Sequence, residues 1–253
     1  NPGPLRKSVA VMVTAVAAIR TVTAVVVAIR RRRRLLVLRL RGRGECARLA
    51  YLSAIRIAAP GIAAIPIIVP ATEAALGPIS LLVNNASLFE DDSVLDFDWR
   101  AWDRHFAVHV KAPALLAQNF AQALTEGQEG LIVNIIDQRV WRPTPRYFSY
   151  ALSKSTLWTA TQMMAQALGP HIRVNAIGPG PTLKNARQDD SDFAAQVDGL
   201  ILKRGPELPE FGATIRYLWE ARSVTGQMIA LDGGQQFRLA RARHHGLDAI
   251  EHV

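Results

Sequence analysis

The sequence predicts one α/β domain, a parallel sheet wound with helices on both faces, and three observations carry that prediction. Short apolar runs at residues 79–83, 130–136, 172–177 and 227–231 each end at a turn signal. Between them lie longer stretches with apolar residues at helical spacing, and strands that alternate with helices in this way form parallel sheets covered on both sides. At 253 residues and 49% hydrophobic, the chain has the material to bury such a core as a single domain.

Taken in order, residues 8–13 read as a strand, 15–29 as a helix and 35–40 as a second strand. Residues 57–69 look shortened for the helix and strand that should follow. The run 79–83 is a strand that ends at Asn84-Asn85, and 98–124 is a long helix. After the strand 130–136, residues 149–168 form a helix that Gly169-Pro170 stops. The strands 172–177 and 227–231 close on Gly178-Pro179-Gly180-Pro181 and Asp232-Gly233-Gly234, and 237–253 is a tail. Ligands of such sheets bind beyond the C-terminal strand ends, which directs attention to Asn84 through Phe89, Asp137 and Gly178 through Thr182.

The net charge of +9 suggests nucleic acid until it is located. Residues 1–70 hold 13 Lys/Arg against one acid, Glu45, whereas residues 71–253 hold 17 against 20. The run Arg30 to Arg34 would bind phosphate electrostatically, which makes a nucleic-acid or membrane-surface protein the competing reading of another class. No aromatic residues interleave that run to stack on bases. A membrane anchor over residues 8–29 is disfavoured by Arg20 at its centre, where a charge costs about 2.5–3.5 kcal/mol. Neither nucleic acid nor membrane is therefore expected as a partner. The single cysteine, Cys46, excludes an internal disulfide and suits a reducing, cytoplasmic setting. No metal is implied, and the adjacent His244 and His245 suit a solvated tail better than a metal site.

The chemistry lies around Tyr150-Ala151-Leu152-Ser153-Lys154, with Asp137 thirteen residues before the tyrosine. A spacing of four places Tyr150 and Lys154 on one helical face, close enough for the ammonium to stabilise a phenolate. A phenol of pKa about 10 is a poor acid at neutral pH, and a neighbouring cation brings it into range.

Together with Asn84-Asn85-Ala86-Ser87, the Pro179-Gly180 turn and the closing 224–234 segment, this block resembles the short-chain dehydrogenase/reductase family over about residues 71–236. The resemblance implies a Rossmann-type fold, hydride transfer with NADP(H) or NAD(H), and Tyr150 as acid or base. It also implies that Lys154 holds the nicotinamide ribose and lowers the tyrosine pKa. Cofactor contacts would come from Thr14, Asn84, Asn85, Ala86, Ser87, Tyr150, Lys154, Pro179, Gly180 and Thr182. The two long helices correspond to those with which family members pair, so a homotetramer is expected, with Leu157 and Met164 on the outer face.

Departures from the family pattern narrow the choice. Asp137 stands where most members have serine, and Phe89 follows shortly after the Asn84 motif; both features resemble the pteridine reductase and dihydromonapterin reductase branch. A carboxyl can relay a proton to an imine-type nitrogen, and an aromatic ring can stack on a pterin-like substrate. A carbonyl reductase of the 3-oxoacyl type, with Asp137 replacing serine, is the enzyme alternative. Taken singly, Asp137 also fits a turn cap and Phe89 ordinary core packing. His109 occupies the position of the family's catalytic asparagine, where it could hold a water for the lysine or simply be a satisfied buried imidazole.

The largest departure is at the start. The glycine-rich phosphate turn expected near Thr14 reads Thr14-Ala15-Val16-Ala17-Ala18-Ile19-Arg20-Thr21, without a glycine. Either the cofactor is held abnormally, or residues 1 to about 70 are not a faithful reading of the gene, and their composition favours the second. Arg41 would still suit the 2′-phosphate of NADP(H).

Overall fold

A strand covered by helices on both sides is buried at nearly every position, and the central strands of this sheet are. In the computed structural model of the protein the described residues are 65, 68–184 and 188–237, with the backbone of five short strands before them. The main sheet has the order β5-β2-β1-β6-β7-β8-β9. Its frame is β6 (Ile79–Asn84), β7 (Gly130–Ile135), β8 (Ile172–Pro179) and β9 (Met228–Leu231), all parallel. β1 (Val9–Val13) joins that frame parallel to β6, pairing Val13 with Asn84.

Alternate residues serve opposite faces. Leu82, Ile132 and Val174 pack with Leu116 and Phe120 on one side, while Leu81, Val83, Leu131, Val133 and Ile177 pack with Leu218 on the other. Each fully buried Leu or Ile stabilises the fold by about 1.5–3 kcal/mol. The C-terminal ends of β6, β7, β8 and β9 share one edge, and Asn84, Asp137, Pro179 and Asp232 collect there.

The N-terminal end corrects the sequence reading. Within the expected helix 15–29 lies a strand, β2 (Thr21–Val25), antiparallel to both β1 and β5 (Arg56–Ala58). Its Thr-Val-Thr-Ala-Val text is rich in β-branched residues, which favour strands. The link 14–20 is also too short for a parallel return, which takes a dozen or more residues. Of the expected strand 35–40, Leu35 lies in β4 (Arg34–Leu35), which pairs as a tight hairpin with β3 (Arg30–Arg31) and not with the main sheet. Thr14, Arg41, the remainder of the basic segment and the tail 238–253 lie outside the described residues.

Helix α1 (Ile68–Leu76) lies against the sheet. The long helix expected at 98–124 is α2 (Trp99–Phe106), a π-helical turn (Ala107–Lys111) and α3 (Ala112–Ala123) in unbroken succession. Asp98 caps α2, accepting from the amides of Arg100 and Ala101, both at 3.2 Å. The wide turn has a local cause: Pro113 offers no N–H, and its ring would crowd the carbonyl of His109 in a regular α-helix.

Helix α4 (Phe148–Leu168) begins after Tyr147, a non-glycine residue in the left-handed region at φ 62°, whose N–H donates to the Asp92 carbonyl at 2.7 Å. Its buried face carries Ser149, Tyr150, Ser153, Lys154, Leu157, Thr161 and Ala165. Leu157 is thus in phase with the tyrosine and packs inward, and Met164 lies against the core beside Ala165. Both were expected on the outer face, which instead shows Leu152 and Met163. Helices α5 (Asp190–Asp198) and α6 (Leu208–Glu220) complete the fold, with Leu218 of α6 closing the second core layer. Among the described residues no helix is long and apolar enough to cross a membrane.

Candidate active site

Two turns of α4 bring a phenol and an ammonium to the end of β7. The Tyr150 hydroxyl donates to Oδ2 of Asp137 at 2.8 Å. The other carboxylate oxygen, Oδ1, caps the short turn that follows, accepting from the Arg139 amide at 2.8 Å. Asp137 thus caps the turn through one oxygen and meets the Tyr150 hydroxyl through the other. The Arg139 guanidinium stands 3.5 Å from Oδ2.

The electrostatics differ from the expectation of a phenol lowered by lysine. Burial, and then the Asp137 carboxylate, push Tyr150 well above the usual phenol range, only partly offset by Arg139 and the Ser87 hydroxyl. Lys154 is lowered to about 8, mainly by burial, with Asp137 acting the other way. Its Nζ donates to the Ile135 carbonyl at 2.9 Å. An ammonium carries three donors, so among the described residues it has donors to spare for a ligand.

Asn84, at the end of β6, donates through Nδ2 to Asn134 Oδ1 at 2.8 Å, and Asn134 donates in turn to Thr161 at 2.8 Å. Asn84 Oδ1 is buried without a partner among the described residues, a state that costs about 1–3 kcal/mol and that a bound polar group would relieve. Asn85 and Ala86 continue the segment to Ser87, whose hydroxyl lies 3.1 Å from His109 Nε2. The Leu88 amide donates to the same nitrogen at 3.1 Å, and Nδ1 lies 2.8 Å from the Ser153 hydroxyl. Both nitrogens of His109 are thus occupied by protein groups, and burial holds its pKa well below 6.5.

Phe89 has company. Tyr147 stacks on it with ring centroids 4.4 Å apart and planes 25° apart, and Tyr150 meets it edge-to-face at 4.7 Å. The Arg139 guanidinium lies 5.5 Å from the Phe89 ring and 5.1 Å from the Tyr147 ring. On the other side, the Gly180 amide donates to the Leu231 carbonyl at 2.7 Å, and Thr182 Oγ1 to the Gly180 carbonyl at 3.1 Å. A side chain at Gly180 would meet the Asp232 backbone at 2.6 Å, so only glycine lets the Pro179-Gly180 turn lie against the end of β9.

The structure therefore brings together Tyr150, Lys154, Asp137, Ser87, Phe89 and His109, with Asn84 at the same sheet edge. It adds Tyr147, Arg139, Ser149, Ser153 and His105, which sequence reasoning missed. A signal was present for three of these: His105 and His109 share the four-residue spacing of Ser149 and Ser153.

Comparison with known proteins agrees with this arrangement. Residues 57–236 match the enoyl-(acyl carrier protein) reductase family of short-chain enzymes; of the unusual N-terminal text, residues 1–56 lie before that match and 57–70 within it. The chain is 37% identical over 175 residues to L-xylulose reductase of Bos taurus, covering 65% of this chain and 72% of that one. It is 34% identical over 139 residues to dihydromonapterin reductase of Klebsiella pneumoniae, covering 54% of this chain and 58% of that enzyme. Among solved structures, FolM alternative dihydrofolate reductase 1 from Brucella suis, in complex with NADP, is 59% identical and superposes with a TM-score of 0.69 over 70% of this chain and 72% of that one. With the tyrosine, the lysine and the strand-end turns all at one sheet edge, and a family match over most of its length, the chain belongs to the short-chain dehydrogenase/reductase family.

Proposed function

We propose that the protein is an NADPH-dependent reductase of a pterin or related C=N heterocycle. The observation that carries this is the Asp137 carboxylate hydrogen-bonded to the Tyr150 hydroxyl beside the Phe89–Tyr147 pair. A serine at that position can polarise a carbonyl, whereas a carboxylate and a phenol 2.8 Å apart hold one proton between two oxygens and suit delivery to nitrogen. The likeness to dihydromonapterin reductase and to the FolM enzyme supports this reading, and the FolM complex with NADP supports the cofactor. The likeness to L-xylulose reductase supports the carbonyl alternative, which the Asp137 substitution discussed below separates.

The residues present fit the cofactor: among the described residues, Asn84 Oδ1 lacks a partner and Lys154 has donors to spare, so both have an unmet demand for polar partners. Asn84 through Ser87, Tyr150, Lys154, Pro179, Gly180 and Thr182 would hold it. When bound, NADPH supplies the hydride that the substrate carbon receives. The protein's part is protonic. Tyr150 stays protonated at neutral pH because burial and Asp137 disfavour the phenolate, so it holds the proton to be delivered, and Arg139 and the Ser87 hydroxyl, which favour the phenolate, ease its release. Its proton passes to the substrate nitrogen, and Asp137, hydrogen-bonded to the same oxygen, relays a proton from solvent to restore the phenol, while Arg139 limits the build-up of negative charge.

Lys154 sets the alkaline limit. Its ammonium is charged below about 8 and neutral above, so kcat/KM for NADPH should fall as pH rises through about 8. Lys154→Arg, which does not titrate in that range, should flatten this limb even if it lowers the plateau. A limb unchanged by the substitution would assign it to another group.

We further propose a homotetramer and a cytoplasmic setting, the latter from the single Cys46. The exposed Leu152 and Met163 on α4 and Trp99 on α2 are the apolar positions that pairing would cover. Light scattering at micromolar concentration should return four chains, and a monomer would rule the assembly out.

A further inference from the structure

We propose that His105 and His109 are positioning residues that fix Phe89, and with it a bound flat ring, against Tyr150. This rests on the reading of Phe89 as the substrate's stacking partner. The backbone amides on either side of Phe89 end on the two imidazoles: Leu88 N–H donates to His109 Nε2 at 3.1 Å, and Glu90 N–H to His105 Nε2 at 3.3 Å. An amide donor requires a bare acceptor nitrogen, so each ring carries its proton on Nδ1. Those protons point to the catalytic helix: His109 Nδ1 donates to Ser153 Oγ and His105 Nδ1 to Ser149 Oγ, both at 2.8 Å.

The hydroxyls pass the chain on in the same sense. Ser153 Oγ donates to the Tyr150 carbonyl at 2.7 Å, and Ser149 Oγ donates to the Asp92 carboxylate, which also accepts from the Ser149 amide at 3.1 Å. Ser149 immediately precedes Tyr150, and Ser153 immediately precedes Lys154. Two parallel bridges, each amide–imidazole–hydroxyl, therefore span from the flanks of Phe89 to the flanks of the reacting pair. One bridge would leave the segment free to pivot; two fix its direction as well as its distance.

The rings are stacked, 5.7 Å apart with planes 14° apart, and are 0% and 1% exposed. Breaking either bridge leaves buried polar groups unpartnered, so the pair behaves as a unit. Burial favours the neutral form of both rings. The charged groups facing His105 are Glu90, Asp92, Arg104 and Lys154; Lys154 faces His109, whose other titratable neighbour is His105 itself.

The test uses substitutions that keep one ring position at a time. Replacing both His105 and His109 by Asn keeps a group near Nδ1 and gives up the acceptor at Nε2; replacing both by Gln keeps that acceptor. The Asn protein should lose about 10²-fold in kcat/KM for a 7,8-dihydropterin, the size expected for about 1 Å of misplacement, with NADPH affinity unchanged within about twofold. The Gln protein should regain most of the loss. In a Phe89→Ala background the Asn changes should add little, because their effect runs through that ring. Effects that add fully to a raised Phe89→Ala KM would overturn the bridges and leave the stacking reading standing. A Phe89→Ala KM unchanged for the dihydropterin would overturn the stacking reading and this proposal with it. Independently of any variant's folding, ¹⁵N–¹H correlation on the wild-type protein should show both rings as the Nδ1–H tautomer, and an Nε2–H signal from either would refute its bridge.

Discussion

Tyr150→Phe should abolish dihydropterin reduction, with a loss toward the upper end of the 10²–10⁴-fold range expected of a positioned proton donor, and should leave NADPH binding nearly intact. The substitution removes one oxygen and no ring. The phenyl group would still meet Phe89, His105 and His109 edge-on, as the tyrosine does at 4.7, 5.9 and 5.4 Å. The change is therefore confined to the proton held with Asp137. Lys154→Ala should by contrast weaken both turnover and cofactor binding, because it deletes a buried cation at the sheet edge where the cofactor is proposed to lie. Fluorescence titration with NADPH alongside steady-state rates separates the two, and a Tyr150→Phe protein that kept about a tenth of the wild-type rate would remove Tyr150 from its role.

Asp137→Ser should cut kcat on a dihydropterin by about 10²-fold or more while costing much less on a simple ketone. The asymmetry follows from what is lost. Serine cannot share a proton as a carboxylate does, but it can still donate to a carbonyl oxygen. A second signature accompanies the first. Asp137 is the largest charge raising the Tyr150 pKa, so the Asp137→Ser protein should ionise its tyrosine at lower pH, visible as an earlier phenolate absorbance change. Equal losses on both substrates would reduce Asp137 to a stand-in for serine and favour the carbonyl reductase.

What was legible in the sequence follows from which forces are local. The frame strands were read to within one or two residues because burial on both faces makes them mostly apolar runs with sharp turn ends. Tyr150, Lys154 and Asp137 were legible because their spacing maps directly onto one helix and the strand before it. The stretch 15–29 was misread because its alanines and valines satisfy a helical count while its β-branched run 21–25 prefers a strand. Leu157 and Met164 were assigned to the wrong face by a matter of helical phase: with Tyr150 inward, seven residues later is inward again. Tyr147 and Arg139 could not be read, since they reach Phe89 only through the fold of the loop between β7 and α4. The phosphate turn expected near Thr14 falls outside the described residues and before the family match.

The π-helical turn at Ala107–Lys111 sets the tolerance of this protein to insertion and deletion. A π-helical turn takes about one residue more than an α-helical turn for nearly the same rotation, so removing one residue here to restore the ordinary repeat would leave everything beyond it close to its present phase. Leu116 and Phe120, now among the most buried side chains, would stay on the sheet, whereas His109, inside the turn, would lose its alignment over His105. Deleting a single codon in this turn should therefore spare the fold and cost the alignment of His109, whereas the same deletion in the regular helix just after it should turn Leu116 and Phe120 away from the core by about 100°.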